Sequence, residues 1–214
     1  MFRADALAGL TEADLAAYRA LGVRRVYDLR GEEERRARPD PFASEARPLV
    51  SAAGASPPPT GTARTAVDGE AFLRDMYTRL FEGAAPSLGR LLTDLADADA
   101  VPAVVHCTGG KDRTGVVAAL VLEAVGVPRE TVLDDYELTA KYRRREHQTS
   151  SLQTLLASGL APEAAGAVLG APRWAMADAL AWIDATHGGV DTYLSGPAGV
   201  DQDALGRLRA VLVD

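Results

Sequence analysis

A chain of 214 residues, 47% apolar and 25% charged, is long enough to bury one sizeable core and short for two, so a single domain over 1–214 is expected. A net charge of −7 argues against nucleic-acid binding, which rests on many Lys and Arg contacts to phosphates; any anionic ligand must be captured locally. No apolar run reaches the roughly 18 residues of a membrane span, Arg3 and Asp5 break up the start so that it does not read as a signal peptide, and a lone cysteine excludes intrachain disulfides and fits a reducing, cytoplasmic setting.

In chain order, Thr11 is a good N-cap for a helix running to about Leu21 and stopped by Gly22, after which residues 23–29 alternate as a strand. Glu32-Glu33-Glu34-Arg35-Arg36 reads as a short charged helix or turn halted by Pro39 and Pro41, and residues 47–50 as a second short strand. Residues 51–68, rich in Pro, Ala, Gly and Thr and without period, read as a mobile loop, 51–70 with its margin, acting as lid or plain linker. Helices are expected at 69–81 and 86–98, then a buried strand in Val101-Pro102-Ala103-Val104-Val105 and a largely buried helix from Thr114 to Val125, ended by Gly126 and Pro128.

Beyond that point the pattern is helical, at 129–142, 150–157, 162–169, 173–186 and 201–213, with Pro162 and Pro172 where first-turn prolines are tolerated. The pair over 150–170 is alanine-rich and weakly amphipathic, so loose packing and a lid role are expected of it. Trp174 and Trp182 lie eight apart on one helix face and are expected in the core. The run Lys141-Tyr142-Arg143-Arg144-Arg145 sits where a helix dipole favours cations, and reads either as a solvated helix end or as a contact for an anionic headgroup or phosphoprotein. The resulting fold class is an α/β sandwich, a small and mainly parallel central sheet flanked by helices, with a helical C-terminal half.

Chemistry concentrates in residues 106–115, HCTGGKDRTG, where five residues separate the only cysteine, Cys107, from Arg113. The segment joins a strand to a helix, and a loop wrapping into a helix N-terminus aims backbone N–H groups and the positive end of the helix dipole at one spot. Gly109 and Gly110 let the backbone turn and approach a ligand closely. Arg113 adds a planar fork matching two phosphate oxygens, and the same field favours the thiolate of Cys107. Each residue alone has a plainer reading: a buried small hydrophobe for Cys107, a packed histidine or an orienter of the thiolate for His106, a surface pair for Asp112 and Arg113. Together they describe an anion-binding nucleophile loop.

These residues resemble the signature of the cysteine-dependent phosphatases, and more narrowly the bacterial tyrosine and lipid phosphatase family whose loop reads His-Cys-x-x-Gly-Lys-Asp-Arg-Thr. The likeness extends to Phe2-Arg3-Ala4-Asp5-Ala6-Leu7, to Leu10-Thr11-Glu12-Ala13-Asp14-Leu15 and the Leu21 to Arg30 segment upstream, and to Asp134-Asp135-Tyr136-Glu137-Leu138-Thr139 and Gly189-Val190-Asp191-Thr192-Tyr193-Leu194 downstream. It leaves mainly residues 51–70 without a counterpart. Family members usually carry roughly thirty residues before the point where this chain starts, a modest addition to an ordinary domain; a chain starting late is expected to leave a sheet edge uncovered and either to self-associate as a homo-oligomer or to be less stable than a longer form.

The resemblance implies a protein-tyrosine or dual-specificity type phosphatase acting on phosphoprotein or phosphoinositide substrates, with no metal and no cofactor. Cys107 would attack phosphorus while Arg113 and the loop from Thr108 through Gly109, Gly110 and Lys111 to Gly115 hold the phosphate. It also implies Asp112 as general acid; the alternative is Asp75, at a separation similar to that of phosphatases with the acid on a separate loop. Thr114 reads as the hydroxyl that steadies the leaving thiolate or as a helix cap. Lys111 reads as a second cation for multiply phosphorylated substrates, or as a partner of a carboxylate such as Asp28 that holds the loop in shape. Asp28 and Arg30, at a strand end facing the site, are expected behind the loop. Two rival readings are a catalytically silent phospholigand-binding module and a sulfur transferase; Arg113 and the GKDRTG ending disfavour the second.

Overall fold

The computed structural model describes residues 1–42, 46–48, 64–142 and 145–213. Its strands are β1 (Phe2–Ala4), β2 (Arg25–Asp28), β3 (Ala46–Pro48) and β4 (Ala103–His106), and they form one sheet in the order β1-β4-β2-β3 with every pairing parallel. Among the described residues ten α-helices join and cover them: α1 (Glu12–Ala20), α2 (Glu32–Ala37), α3 (Ala66–Leu95), α4 (Asp112–Ala124), α5 (Arg129–Tyr142), α6 (Arg145–Ala157), α7 (Pro162–Leu169), α8 (Arg173–His187), α9 (Val190–Ser195) and α10 (Gln202–Val213). The expected small parallel sheet and helical C-terminal half are both present. No helix among the described residues is long and apolar enough to cross a membrane.

The period of two along the strands sorts side chains between two cores. Tyr27 and Val105, opposite one another in register, enter the large core with Leu73, Tyr77, Phe81 and Leu92 of α3, Val117 and Leu120 of α4, and Met176 and Ile183 of α8. Val26 and Val104 face the other way, into a smaller cluster with Leu7 and, at its margin, Tyr18 and Phe42. Register also aligns Ala4, His106 and Asp28 at the carboxyl ends of three neighbouring strands, which is where an open parallel sheet binds its ligands.

Several expectations are corrected. The segment Phe2–Ala4 is an edge strand, too short at three residues for its alternation to be read. The second short strand, expected at 47–50, starts one residue earlier and is described over Ala46–Pro48; 49 and 50 lie outside the described residues. Helix α3 runs unbroken through Pro86 where two helices are expected. Pro86 lies on the exposed face, where water can satisfy the carbonyl one turn back, while Leu73, Leu80, Phe81, Leu88, Leu92 and Leu95 form a continuous buried stripe on the other side. The helix begins inside the segment read as loop, because Thr65 and Asp68 form a reciprocal capping box at its start; residues 51–63 of that loop lie outside the described residues, as do Arg143 and Arg144. Helix α7 is closely packed on α3 rather than loose: Ala164 and Ala165 are buried, and Gly69 of α3 admits the Ala164 carbonyl to a distance at which a Cβ would sit 2.5 Å from it. Its small side chains, read as weak amphipathicity, are what permit that approach. Trp174 and Trp182 are half-buried at the edge of the large core, Trp174 stacked beneath the Arg74 guanidinium at 4.4 Å.

Candidate active site

The site is the crossover from β4 to α4. Cys107 follows directly on the strand, buried, and Asp112 opens the helix, so the intervening loop lies between a strand end and a helix N-terminus. Gly110 has φ of +64°, and a Cβ there would come within 2.9 Å of the Ala4 carbonyl oxygen and 3.0 Å of the Asp5 nitrogen. Both facts require glycine. The loop is thereby seated on the end of β1, where the Ala6 N–H donates to the Thr108 carbonyl at 3.2 Å. Gly115 serves packing: a Cβ would meet the Tyr136 ring at 3.0 Å, so its absence lets that ring close on the first turn of α4.

Arg113 is clamped from behind. Its Nη1 and Nη2 donate to Glu34 Oε2 and Oε1 at 2.6 and 2.8 Å, and Nη1 also donates to the Leu29 carbonyl at 3.2 Å. A guanidinium has five N–H groups; these bonds use three and leave the Nε–H and one Nη2–H, which point from one edge with the spacing of two phosphate oxygens. Thr108 Oγ1 and the Gly31 N–H donate to the same carboxylate at 2.5 and 2.8 Å. Burial works to raise the Glu34 carboxyl, but the hydrogen bonds from Arg113 and Thr108 outweigh it and hold it at about 2. Burial likewise opposes the charge on Arg113, and Glu34 together with the nearby Cys107 sulfur holds its guanidinium above the ordinary arginine value.

Beneath the loop lies a buried ionic cluster. Arg30 grips Asp28 through Nε and Nη2 at 2.9 and 2.8 Å, reaches Asp40 Oδ2 at 2.5 Å and the Arg38 carbonyl at 2.8 Å. His106 stands beside it, Nε2 3.2 Å from Asp40 Oδ2 and 3.8 Å from Asp28 Oδ1, with Nδ1 3.3 Å from the Cys107 carbonyl. The ring thus stands between the cluster and the Cys107 backbone. Burial raises the Asp28 carboxyl, and the hydrogen bonds from Arg30 more than reverse it. By distance Asp28, Asp40 and His106 could share a metal ion, yet the Arg30 guanidinium already bonds both carboxylates, and a second cation would have to displace it.

On the other side of the loop, Lys111 reaches toward the end of α7. Its buried ammonium donates to the carbonyls of Val168 and Gly170, at the end of α7, at 2.5 and 2.8 Å, and lies 3.2 Å from Asp112 Oδ1. The carboxylate it meets is Asp112, not Asp28. Asp112, with its side chain 31% exposed, also accepts from the Tyr77 hydroxyl at 3.0 Å. Thr114 is not the helix cap: Lys111 holds the N-cap position, no side chain caps α4, and the Thr114 hydroxyl is buried with no hydrogen-bond partner among the described residues. Asp75 is exposed on α3 and paired with Arg79; it stands two residues from Tyr77, about 200° around the helix axis, and so points away from the loop.

Of the residues expected at the site, then, those from His106 to Gly115 come together with Asp28 and Arg30 beneath them, and Asp75 does not. Glu34, Asp40, Tyr77 and Tyr136 were not anticipated. Glu34 sat in a run of three glutamates with nothing to single it out; its place three residues after Gly31, where a side chain reaches back to the helix start, was the available signal.

A buried thiol at the end of a parallel strand, a helix N-terminus and an oriented arginine fork on one loop make this a cysteine-dependent phosphatase. Residues 1–214 match the tyrosine phosphatase family along their whole length, and the chain belongs to that family. It is 31% identical over 252 aligned positions to the triple specificity protein phosphatase PtpB of Mycobacterium tuberculosis, covering 100% of this chain and 90% of that protein. A tyrosine-protein phosphatase of Nostoc commune is 31% identical over 139 positions, 64% of this chain and 47% of its own.

Proposed function

We propose that the protein hydrolyses phosphate monoesters of phosphotyrosine, other phosphoprotein residues or phosphoinositides in the cytoplasm, through a phosphocysteine intermediate. Cys107 Sγ attacks phosphorus in line. The Sγ–P bond forms, the P–O bond to the leaving group breaks, and Asp112 gives its proton to the leaving oxygen. The free Nε and Nη2 edge of Arg113 and the backbone N–H groups from Thr108 to Gly115 bind the equatorial oxygens. Water then attacks phosphorus, Asp112 takes back a proton, and the Sγ–P bond breaks to release phosphate and the thiolate, which the otherwise unpartnered Thr114 hydroxyl steadies.

The observation that carries this reading is the donor count on Arg113: Glu34 and Leu29 hold three N–H groups and leave two on one edge of the fork, on the same short loop as the thiol. That the relative PtpB is named a triple specificity phosphatase supports keeping more than one substrate class. Lys111 bears on the choice among them. In this arrangement its ammonium is committed to α7 and Asp112, so a multiply phosphorylated substrate must draw it off the α7 carbonyls, whereas a singly phosphorylated one need not.

The test is hydrolysis of an aryl phosphate by the wild type and by Cys107→Ser, followed by a panel of phosphopeptides and phosphoinositides. Turnover lost in the variant supports the nucleophile; equal turnover in both rejects it. In parallel, Asp112→Asn and Asp75→Asn separate the two acids, since only loss of the true acid penalises poor leaving groups selectively.

A further inference from the structure

Tyr77 of α3 is fully buried, and its hydroxyl meets two oxygens: Asp112 Oδ1 at 3.0 Å and the Tyr136 hydroxyl at 2.6 Å. A phenol has one proton to donate, and an ionised carboxylate only accepts. While Asp112 is ionised, the Tyr77 proton therefore goes to Oδ1, and the contact with Tyr136 is made by the Tyr136 proton. The chain runs one way, from Tyr136 through Tyr77 to Asp112. Burial, then the charge of Asp112, pushes the Tyr77 phenol well above its usual value, so it keeps its proton through the reaction.

Both tyrosines are held by the fold. Their rings meet edge to face at 6.3 Å, and Tyr136 of α5 is pressed on Gly115 of α4, where there is no room for a Cβ. Three helices thus set the height of the Tyr77 oxygen. The Lys111 ammonium lies 3.2 Å from the same oxygen of Asp112. Oδ1 is engaged from two sides, and no hydrogen bond from the described residues reaches Oδ2.

We propose that Tyr77, backed by Tyr136, is a positioning residue for the general acid: it fixes the Asp112 carboxyl so that Oδ2 carries the proton to the leaving oxygen and receives one from the attacking water. The two phenolic protons stay where they are; only the Oδ2 proton is transferred. The role rests on the reading of Asp112 as the acid. It explains how an acid on the phosphate-binding loop itself keeps one orientation without a separate closing loop, because its carboxyl is anchored to α3 and α5.

The experiment compares kcat/KM for phenyl phosphate, a poor leaving group, with kcat/KM for 4-nitrophenyl phosphate, a good one, in the wild type, Tyr77→Phe, Asp112→Asn and the double variant. General damage to the site lowers both substrates alike. Loss of acid positioning lowers the phenyl to nitrophenyl ratio, by about tenfold for Tyr77→Phe, a fraction of what a general acid contributes; once Asp112 is Asn, Tyr77→Phe should lower the ratio no further. An unchanged ratio in Asp112→Asn rejects the acid reading itself. A lowered ratio there with an unchanged ratio in Tyr77→Phe, or a full additional drop in the double variant, overturns the positioning role alone. If Tyr77→Phe does not fold, Tyr77→Phe/Tyr136→Phe removes both hydroxyls, leaves neither orphaned, and is read against the same ratios.

Discussion

Replacing Glu34 by Gln tests the clamp on Arg113 directly. The substitution keeps the shape of the side chain but removes its charge and one of the two acceptor oxygens that receive the Arg113 fork. A charge-assisted hydrogen bond of this kind contributes about 1.5 to 3 kcal/mol, and each 1.4 kcal/mol is about tenfold, so kcat/KM toward an aryl phosphate should fall roughly ten- to a hundredfold, through a poorly aimed guanidinium. Stability carries a second signature. The Glu34 carboxyl is held at about 2 against an ordinary 4.5, so the wild type binds fewer protons at this site folded than unfolded; the contribution is complete above about 4.5 and is lost as pH falls toward 2. Taken in full the shift corresponds to about 3 kcal/mol, but the side chain is 38% exposed, and screening reduces this to about 1 to 2 kcal/mol. Urea unfolding at pH 7 and near pH 3 reads it: the difference in stability between wild type and Glu34→Gln should shrink by about 1 kcal/mol on acidification, since the folded carboxyl is still largely ionised at pH 3. A difference that does not change with pH, together with unchanged kcat/KM, would refute the clamp.

Three further outcomes follow from the same geometry. Gly110→Ala should destabilise the protein by about 2 to 3 kcal/mol in urea unfolding, from positive φ and the clash with the Ala4 carbonyl together; a loss under about 0.5 kcal/mol would mean that the loop is not seated on β1 as described. Asp40→Ala should cost about 3 to 5 kcal/mol, because it leaves Arg30 buried with one carboxylate instead of two; a thermal midpoint unchanged within a degree or two contradicts the cluster. Lys111→Met, which keeps the stem and removes the ammonium, should leave the Val168 and Gly170 carbonyls without their donor and speed amide hydrogen exchange in α7 about tenfold or more, while exchange in α10 stays as in the wild type.

Legibility followed sequence distance. Helix α1 was readable because Thr11 and Asp14 cap it locally, and the strand and helix flanking the loop were readable as apolar runs bounded by Gly and Pro. Helix α3 was misread as two because Pro86 is a strong local signal, overridden by a buried stripe that only tertiary packing makes worthwhile. The expectation of loose packing over 150–170 takes small side chains for weak contacts; across α3 and α7 small side chains are what bring two backbones together.

At the site the division is sharper. The sequence alone determined that a thiol and an arginine fork lie together, since Cys107 and Arg113 share one short loop whose shape depends on residues beside them: the strand before, the helix after and a glycine with positive φ between. Only the tertiary structure decided which way Lys111 points, that Glu34 rather than either neighbouring glutamate clamps Arg113, and that Tyr77 holds Asp112. Those partners lie 57, 79 and 35 positions apart along the chain, and a hydrogen bond over such a span depends on how helices pack, which no local pattern encodes. Charge and residue type say what a side chain is able to bond; the packing of α2, α3 and α7 around the loop chooses the partner.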